Sequence, residues 1–409
     1  MIKRNIKKNI LVSIGILFCG IATSSFAIEN QIKIGGVIDI QGIHYNTSGD
    51  ATQRKFSMHN ENRGLYSAGH FFVDYQLVAE DGWKYGTKIG LQQTTRNDRG
   101  VPFAIYTESK YGKIEAGSDK SAGARMMLTG YTGFSGVGGG WDAFIVSSPR
   151  KGKDPKVPYV TSFCSFLDAK TRTSMLSDYS RKVSYYTPKF GAKDHKFQLG
   201  ISYAPDSSNA GNDNIDKAHL HGVLAAYDYK FAIKDGVAYG ITYDGKFSDQ
   251  LSAKVAFTGE RGKPIAFKKT DSSKANIKFK DLNTYNIGGE VTYNQFSVIG
   301  SFMSYNKSLS NATIDTFGRE TDIYAVGIKY KFLDSKYAAS LNHFHSNHKK
   351  NKFDATNIGF DYLIVKGIKA YLQVTRFQGK GKYIDETTGL IRRDKSKGDI
   401  VILGGKFSL

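Results

Sequence analysis

Hydrophobic and polar side chains alternate along much of this 409-residue chain. In the stretch IKIGGVIDIQGIHY, residues 32–45, isoleucine fills positions 32, 34, 38 and 40, while Lys33, Asp39 and Gln41 stand between them. The same period of two returns at residues 197–203, 285–293, 324–332, 358–364 and 368–374. Successive side chains of a β-strand point to opposite faces of the sheet. The pattern therefore predicts strands with one apolar and one polar face.

The longer predicted strands are long enough to cross a membrane. The runs last about seven to fourteen residues, against the roughly five to six usual in soluble sheets. After residue 27, no run approaches the roughly 18 to 20 consecutive apolar residues that a membrane helix needs. The 26 Phe, 25 Tyr and 2 Trp residues lie often toward the ends of the runs, where aromatic rings suit lipid headgroups. A soluble β-sandwich would also alternate, but these lengths and aromatic positions favour strands that face lipid.

A β-strand in hydrocarbon must pair both of its edges, because each unsatisfied backbone group there costs several kcal/mol. Only a sheet that closes on itself has no free edge. The sequence therefore predicts an all-β fold, a transmembrane antiparallel β-barrel. The apolar face of residues 32–45 would meet lipid, and Lys33, Asp39 and Gln41 would line a water-filled interior.

The connections predict the number of strands. Short turns are expected at residues 80–82, 333–335 and 365–367, and long polar loops at residues 46–64, 206–217, 259–281, 306–320 and 380–397. Eight strands fit up to residue 231 and eight from residue 251 onward, which leaves residues 236–247, GVAYGITYDGKF, over. An odd number would put the chain ends on opposite sides of the membrane. We therefore expect about 16 strands with one segment misassigned, and 18 as the alternative, in one domain.

The first 27 residues have the pattern of an export signal. Four basic residues precede an apolar run from Ile10 to Ala22, and Ser25-Phe26-Ala27 places small residues where a signal peptidase needs them. Cys19 could suggest a lipoprotein anchor, but Phe18 stands where a small residue is required. We predict that residues 1–27 are a cleaved signal peptide and that residues 28–409 form the barrel.

The charge of the chain does not identify a partner. Removing Lys3, Arg4, Lys7 and Lys8 with the signal lowers the formal charge from +20 to +16. Basic chains often bind nucleic acid, but no helix-turn-helix, zinc-finger or basic-helix pattern occurs, and lysine is scattered through the loops. We expect no nucleic-acid partner. The exported chain keeps one cysteine, Cys164, so no internal disulfide can form.

Four segments, in order, resemble the trimeric general porins of Gram-negative outer membranes. IKIGGVIDIQG is similar to the first strand of that family, and AEDGWKYGTKIGLQ to its first turn and third strand. ESKYGKIEAGSDK, residues 108–120, resembles the strand pair before the pore-constricting loop, and SRKVSYYTPKFGA, residues 180–192, the strand after it. The resemblance implies an outer-membrane barrel that contacts lipid, is inserted by the barrel-assembly machinery and forms a homotrimer. It also implies passive diffusion of small hydrophilic solutes and ions.

Residues 119–177 form a connection of 59 residues, and ordered loops longer than about 12 to 15 are usually functional. The resemblance implies that this is the third loop, folded inward as a constriction, with Asp119, Lys120, Arg125 and Asp142 as candidate residues. Its segment TGYTGFSGVGGGW is not framed by the strand and helix of a dinucleotide-binding loop. A disordered surface loop remains the alternative.

The alternation predicts which charged side chains line the interior. They are Lys33, Asp39, Lys84, Lys88, Arg96, Lys113, Glu115 and Lys182. The chain departs from the family pattern at Ser118 and Ser184, where wall arginines are usual. With Asp74, Glu108 and the loop included, fourteen basic groups stand against eight acidic ones. This surplus predicts weak anion selectivity, and a neutral or acidic eyelet is the alternative.

Other functions find less support in the sequence. No G-x-S-x-G motif occurs and no histidine is framed by a nucleophile, so we expect neither an enzyme nor a cofactor. His343, His345 and His348 could hold a metal, but with no supporting carboxylate in view we expect a rim loop and no metal site. A barrel whose long loops act as a surface adhesin or receptor is the competing hypothesis.

The last residues alternate to the end of the chain, with apolar side chains at Val401, Leu403, Phe407 and Leu409. This pattern is typical of the final strand that the barrel-assembly machinery recognises. We therefore expect Phe407 and Leu409 to be the insertion signal.

Overall fold

A computed structural model describes residues 27–48, 63–94, 102–130, 180–207, 229–268, 278–310, 321–348, 351–384 and 391–409. The described residues form sixteen strands and one short helix, α1 (Ala122–Met126). The strands are β1 (Ala27–Ser48), β2 (Arg63–Ala79), β3 (Lys84–Thr94), β4 (Phe103–Ser109), β5 (Gly112–Ser118), β6 (Lys182–Tyr186), β7 (His195–Asp206), β8 (Tyr229–Lys246), β9 (Leu251–Lys268), β10 (Leu282–Tyr293), β11 (Phe296–Ser304), β12 (Thr321–Phe332), β13 (Tyr337–His348), β14 (Asn351–Val365), β15 (Ile368–Ile384) and β16 (Ile391–Ser408). Within these ranges, no helix has the length and apolarity to span a membrane.

The strands form one closed antiparallel barrel. Each strand pairs with its neighbours in sequence, and β1 pairs with β16, so that Ile40 lies opposite Gly405. The prediction of a 16-strand transmembrane barrel is confirmed, and the alternative of 18 strands is not needed. Closure leaves every described strand with a partner on both sides, which is what a membrane-spanning sheet requires.

Residues 236–247 had no place in the strand count from the sequence, and all but the last of them belong to β8. Residues 236–246 continue the strand that begins at Tyr229, across a shift in register between Lys234 and Val237. Asp235 has φ 52° at this bulge. An Asp-Gly pair between two alternating runs has the signature of a hairpin turn, and here the same pair makes a β-bulge within one strand.

The connections are short at one end of the barrel. The expected turns at residues 80–82 and 333–335 are confirmed, and β14 and β15 are joined by the turn at residues 366–367. Gly82 and Gly367 have φ of 80° and 89°, values that glycine adopts without strain. At the opposite end, strands extend into the predicted loops. The loop predictions at residues 259–281 and 380–397 were therefore too long, because β9 reaches Lys268 and β15 and β16 enclose only residues 385–390.

The two faces of the wall differ as the alternation predicts. On the outer face of β1, Ile32 and Ile34 are 66% and 70% exposed, whereas Asp39 and Gln41 on the inner face are each 1% exposed. The outer face of the other strands is likewise aliphatic and aromatic over the central part of the barrel, as at Ile287, Val326 and Leu372. The apolar side chains therefore form a belt that faces lipid.

The polarity of the two faces reverses toward the long-loop end of β13 to β16 and β1. There the inner side chains form a buried apolar cluster that includes Ile43, Phe344, Phe353, Phe377 and Ile400. The outer side chains on the same strands are polar and exposed, as at His343, Thr356, Arg376 and Asp399. These strands thus continue beyond the lipid, where water favours a polar outer face and packing favours an apolar inner one.

We predict that Phe353→Ala destabilises the barrel by about 3 to 5 kcal/mol, because it leaves a cavity in this inner cluster. Phe353 is 0% exposed and its ring lies 6.2 Å from that of Phe344 and 6.0 Å from that of Phe377. Equilibrium unfolding in urea with the protein in lipid vesicles measures the loss. Ile358→Ala, on the outer face of the same strand at 61% exposure, is the control and should cost less. Equal losses would contradict an apolar core inside the barrel.

Candidate functional site

The first residues of the long connection after β5 lie on the inner wall. Ser121 caps α1, accepting a hydrogen bond of 3.2 Å from the backbone N–H of Ala124. The N–H of Ala122 donates to Ser202 Oγ on β7 at 2.7 Å. Eight residues later, the N–H of Gly130 donates to Ser301 Oγ on β11, also at 2.7 Å. Gly130 also lies against Ala325 on β12, so residues 121–130 cross six neighbouring strands inside the barrel, from β7 to β12.

Small wall residues make room for this crossing. Gly200, Ala238, Gly240, Gly288 and Ala325 occupy inner-face positions beneath residues 121–130. A Cβ on Gly288 would lie 2.1 Å from the carbonyl oxygen of Leu128, and a Cβ on Gly240 would lie 2.9 Å from Met126 Sδ. Such distances leave no room for a side chain, so the segment lies directly against the backbone of the wall.

Arg125 fixes the start of this segment to the wall of β5. Its guanidinium donates two hydrogen bonds to Glu115, at 2.7 and 3.1 Å, and one to Asp119 at 3.1 Å. It also lies 5.1 Å from the centre of the Tyr186 ring. Burial alone would lower the pKa of Arg125, but the hydrogen bonds and negative charge of Glu115 raise this pKa above its ordinary value. Arg125 therefore carries its charge at every pH at which the protein works.

Three lysines complete a charged cluster around Asp119 and Glu115. Lys88 Nζ on β3 lies 3.9 Å from Asp119 Oδ2, and Lys113 Nζ on β5 lies 3.0 Å from Glu115 Oε2. Lys182 on β6 donates a hydrogen bond to the backbone carbonyl of Asp119. The structure thus brings together six residues that the sequence analysis singled out: Lys88, Lys113, Glu115, Asp119, Arg125 and Lys182.

The other predicted lining residues lie apart from this cluster. Lys33 on β1 stands opposite Asp74, and Lys84 Nζ lies 3.4 Å from Glu108 Oε1. Asp39 accepts hydrogen bonds from Tyr371 at 2.6 Å and from Gln41 at 3.0 Å, on the β15–β16 side of the barrel. Lys120 is exposed beside Asp119. Arg96 and Asp142 lie outside the described residues.

The sequence analysis missed a second charged group on the inner face. Lys369 Nζ lies 3.0 Å from Asp361 Oδ2, and Lys329 and Lys406 stand on the same face of neighbouring parts of the wall. The signal was present, because Asp361 and Lys369 occupy the polar positions of the predicted strands at residues 358–364 and 368–374.

Acidic and basic groups nearly balance over the described inner face between the turns and the constriction. The basic ones include Lys33, Lys84, Lys88, Lys113, Arg125, Lys182, Lys196, Lys254, Lys329, Lys331, Lys369 and Lys406, and the acidic ones include Glu29, Asp39, Asp74, Glu108, Glu115, Asp119, Asp244, Glu260, Glu290 and Asp361. Below residues 125–128 this lining encloses an open cavity of about 540 Å³, bordered by Lys113, Tyr186 and Asp244 among others.

The expectation for the three histidines was wrong in two respects. They lie in strand β13, not in a rim loop, and a carboxylate does support two of them. Asp354 Oδ1 on β14 is 2.8 Å from His345 Nδ1 and 3.8 Å from His343 Nε2, because β13 and β14 pair directly. His348 points to the inner face, 2.6 Å from Thr321 Oγ1. Within the described ranges, no group of three or more His, Cys, Asp or Glu residues is arranged to hold a metal ion.

A family model described as Gram-negative porin matches residues 15–382 of this chain. The chain belongs to the Gram-negative porin family. It is therefore an outer-membrane porin, as the first-strand and loop-flanking segments indicated. Two relatives, both uncharacterized proteins, come from Rickettsia bellii and Rickettsia felis and are 29% and 27% identical. These matches cover 98% and 88% of this chain and 99% and 92% of the relatives.

Solved structures share the porin fold at low sequence identity. The anion-selective porin from Comamonas acidovorans is 13% identical, with a TM-score of 0.55, over 93% of this chain and 100% of that one. The trimer form of OmpT from Vibrio cholerae is also 13% identical, with a TM-score of 0.54, over 93% of this chain and 99% of that one. At this identity the likeness concerns the fold alone.

We predict that Gly288→Val lowers the single-channel conductance of this porin. The added side chain has no space against the carbonyl of Leu128 and must push residues 121–130 from the wall toward the axis of the barrel. Recording in planar bilayers measures the change. Gly300→Val is the matched control, since a Cβ there points outward and meets nothing closer than 4.0 Å. Equal conductance in both variants would show that this segment does not border the conducting path.

Proposed function

We propose that this porin forms a water-filled channel through which small hydrophilic solutes and ions diffuse passively, without enzymatic activity. The observation that carries the proposal is a closed wall whose inner face holds at least nineteen charged side chains beneath the loop segment. Charged groups are stable inside a barrel only when they are paired or hydrated. Several of these, such as Lys84 and Lys88, keep about 40% of their side-chain surface exposed and therefore contact water.

We propose that residues 119–177 as a whole form the constriction of this channel. Residues 119–130 support the proposal, because they leave the wall at β5 and turn inward across the inner face. In this arrangement Asp119, Lys120 and Arg125 stand at the narrowest level, next to Lys88 and Glu115, and Asp142 follows later in the same loop.

Weak anion selectivity is the finer part of the proposal. Although the described charges nearly balance, the basic ends reach water more often than the acidic ones. The Lys88 side chain is 40% exposed against 13% for its partner Asp119, and Lys113 is 27% exposed against 5% for Glu115. Lys369 is 27% exposed and Asp361 is 8% exposed. An ion in the channel therefore meets more positive than negative surface, which raises the local concentration of anions.

We also propose that three copies assemble through the lipid-facing side of β1, β2, β15 and β16. Small residues interrupt the apolar belt there, namely Gly42, Ser67, Gly69, Ala370 and Gly405. Inside a membrane, small side chains let two protein surfaces approach closely and gain packing contacts that lipid would not provide.

Export and insertion fit the same proposal. Residues 1–27 would direct export and be removed. Phe407 and Leu409 would then present the signal for the barrel-assembly machinery. Both lie on the outer face at the end of β16, at 41% and 80% exposure, where another protein can reach them.

The first experiment is conductance in planar bilayers with a gradient of dilute KCl. We expect ohmic steps and a reversal potential that indicates anion preference. Lys33→Gln with Lys88→Gln should lower the chloride-to-potassium permeability ratio by roughly twofold, and the difference should fade near 1 M salt, where the Debye length is about 3 Å. Lys352→Gln with Lys380→Gln removes the same charge from the outer face and should leave the ratio unchanged.

Two results would count against these proposals. A folded barrel that carries no current would contradict the channel and favour the adhesin or receptor hypothesis. A native channel that prefers cations in dilute KCl would contradict the sign of the selectivity while leaving the channel itself intact.

The second experiment tests the trimer. Gly69→Leu with Gly405→Leu should convert trimers to monomers, because the new side chains block close approach between copies. Light scattering of the detergent-solubilised protein measures the mass. Gly289→Leu with Gly300→Leu is the matched control, since all four glycines face outward and a Cβ on each meets no atom closer than 3.7 Å. Trimers that survive the first pair of substitutions would exclude this surface as the interface.

A further inference from the structure

The cavity below residues 125–128 lies between that segment and the short turns at one end of the barrel. Its volume of about 540 Å³ is within the range of roughly 300 to 1,000 Å³ that is usual for small-molecule sites. It is bordered by Ser109 and Gly112, on either side of the turn between β4 and β5, and by Asp244, near the short-turn end of β8. A solute can therefore occupy it without lying beside residues 121–124.

The roof of this cavity is apolar. It is formed by Met126, Met127 and Leu128. Met126 is buried against the wall, where its sulfur lies over Gly240, whereas Met127 and Leu128 are half-buried. Methionine is flexible and polarizable, and it packs well against apolar groups of irregular shape. The roof can therefore hold the apolar part of a solute.

Three lysines and two carboxylates meet at the floor of the cavity. Lys189 Nζ lies 2.8 Å from Asp244 Oδ2, and the strand register sets Lys196 on β7 and Lys254 on β9 opposite the same Asp244. Glu290 stands opposite Lys254 on β10. Of the three lysines, only Lys189 forms an ion pair with a described carboxylate. The floor therefore has two ammonium groups that a bound anion can contact.

The other charged groups at the cavity already have partners. Glu108 and Lys84 form an ion pair of 3.4 Å, and both Lys113 and Arg125 bind Glu115. Among the described residues, the positive charge that stays available to a ligand therefore lies at the floor. An anion bound there gains charge-assisted hydrogen bonds, which are about twice as strong as those between neutral groups.

The roof and the floor are separated along the strands. On β8, Met126 lies over Gly240, whereas the lysines of the floor surround Asp244, four residues further along. Four residues of a strand cover about 13 Å, and the long side chains at both ends shorten this gap. The inner-face residues between them, Thr242 and Ala256, have small side chains that leave the space open. The cavity therefore suits a molecule with a negative charge at one end and an apolar body at the other.

We propose that this cavity is a binding site for organic anions that carry an apolar or aromatic body, such as aryl-alkyl carboxylates. The carboxylate accepts hydrogen bonds from Lys196 and Lys254, and the body packs beneath Met127 and Leu128. The proposal rests on the channel function, because a solute meets this cavity along the conducting path. Small inorganic anions lack the apolar body and uncharged solutes lack the charge, so neither class uses both ends of the site.

The first test is saturation-transfer NMR of the full-length exported protein in detergent, which needs no current. The probe is 3-phenylpropanoate. Acetate lacks its apolar body and 3-phenylpropanamide lacks its charge, so we expect each to bind about tenfold more weakly. Lys196→Gln with Lys254→Gln should weaken binding of the probe about tenfold, because both hydrogen bonds to the carboxylate lose their charge. Met127→Gln should weaken it about threefold, because an amide replaces apolar surface.

Lys331→Gln with Lys406→Gln is the matched control. It removes two basic charges from the inner face at the same end of the barrel, but on β12 and β16. The affinity for the probe should stay within about twofold of the native value, since water and salt screen charges across the lumen. Equal weakening by both pairs of substitutions would show that only the net charge of the lumen attracts the probe. That result, or native affinity in the first pair or in Met127→Gln, would overturn the proposal.

The second test uses the position of the cavity. In planar bilayers, 3-phenylpropanoate added on the short-turn side reaches the cavity without passing residues 121–124. It should therefore interrupt the current more often from one side of the membrane than from the other, and equal interruption from both sides would contradict the position. A protein that binds the probe in detergent but carries no current would contradict the channel alone. A conducting channel that does not bind the probe would contradict this site alone.

Discussion

The structure depends on one constraint, the pairing of every backbone N–H and C=O group of a strand that crosses hydrocarbon. An open sheet would leave two edges unpaired, at a cost of several kcal/mol for each group. The register between β1 and β16, which sets Ile40 opposite Gly405, removes both edges at once. This closure also creates an interior. Each side chain that points into the interior must pack against others, pair with an opposite charge or contact water.

Charged residues line one side of the barrel interior, and small residues line another. Where β3, β5 and β6 meet the long connection, Arg125 pairs with both Glu115 and Asp119, and lysines supply further positive charge around them. From β7 onward, glycine and alanine replace large inner side chains, so that the backbone of residues 121–130 lies against the backbone of the wall. The charged cluster holds the segment at its start, and the small residues let it continue across the barrel.

Along β13 to β16, the polar and apolar residues change sides of the sheet. One sheet therefore contains both a membrane arrangement and a soluble-protein arrangement of side chains. Within the apolar belt, polar residues such as Asn357 and Gln373 face inward and aliphatic residues face lipid. Above it, Phe353 and Phe377 face inward while Arg376 and Lys380 face outward, as in the sheet of a soluble protein. The physical cause is the change of solvent outside the wall from hydrocarbon to water, since each face takes the polarity of what it touches.

The sequence alone determined the barrel, because a period of two over long runs is a local property that each strand expresses by itself. It also placed Lys88, Lys113 and Glu115 on the inner face by parity. It could not decide the strand ends, since polar outer residues above the belt read as loop, nor the bulge at Asp235, which reads as a turn. The contacts of Arg125 with Glu115, of Asp354 with His345, and of Gly288 with Leu128 join residues on different segments. Only the register and closure of the whole sheet bring such residues together, so only the tertiary structure decided them.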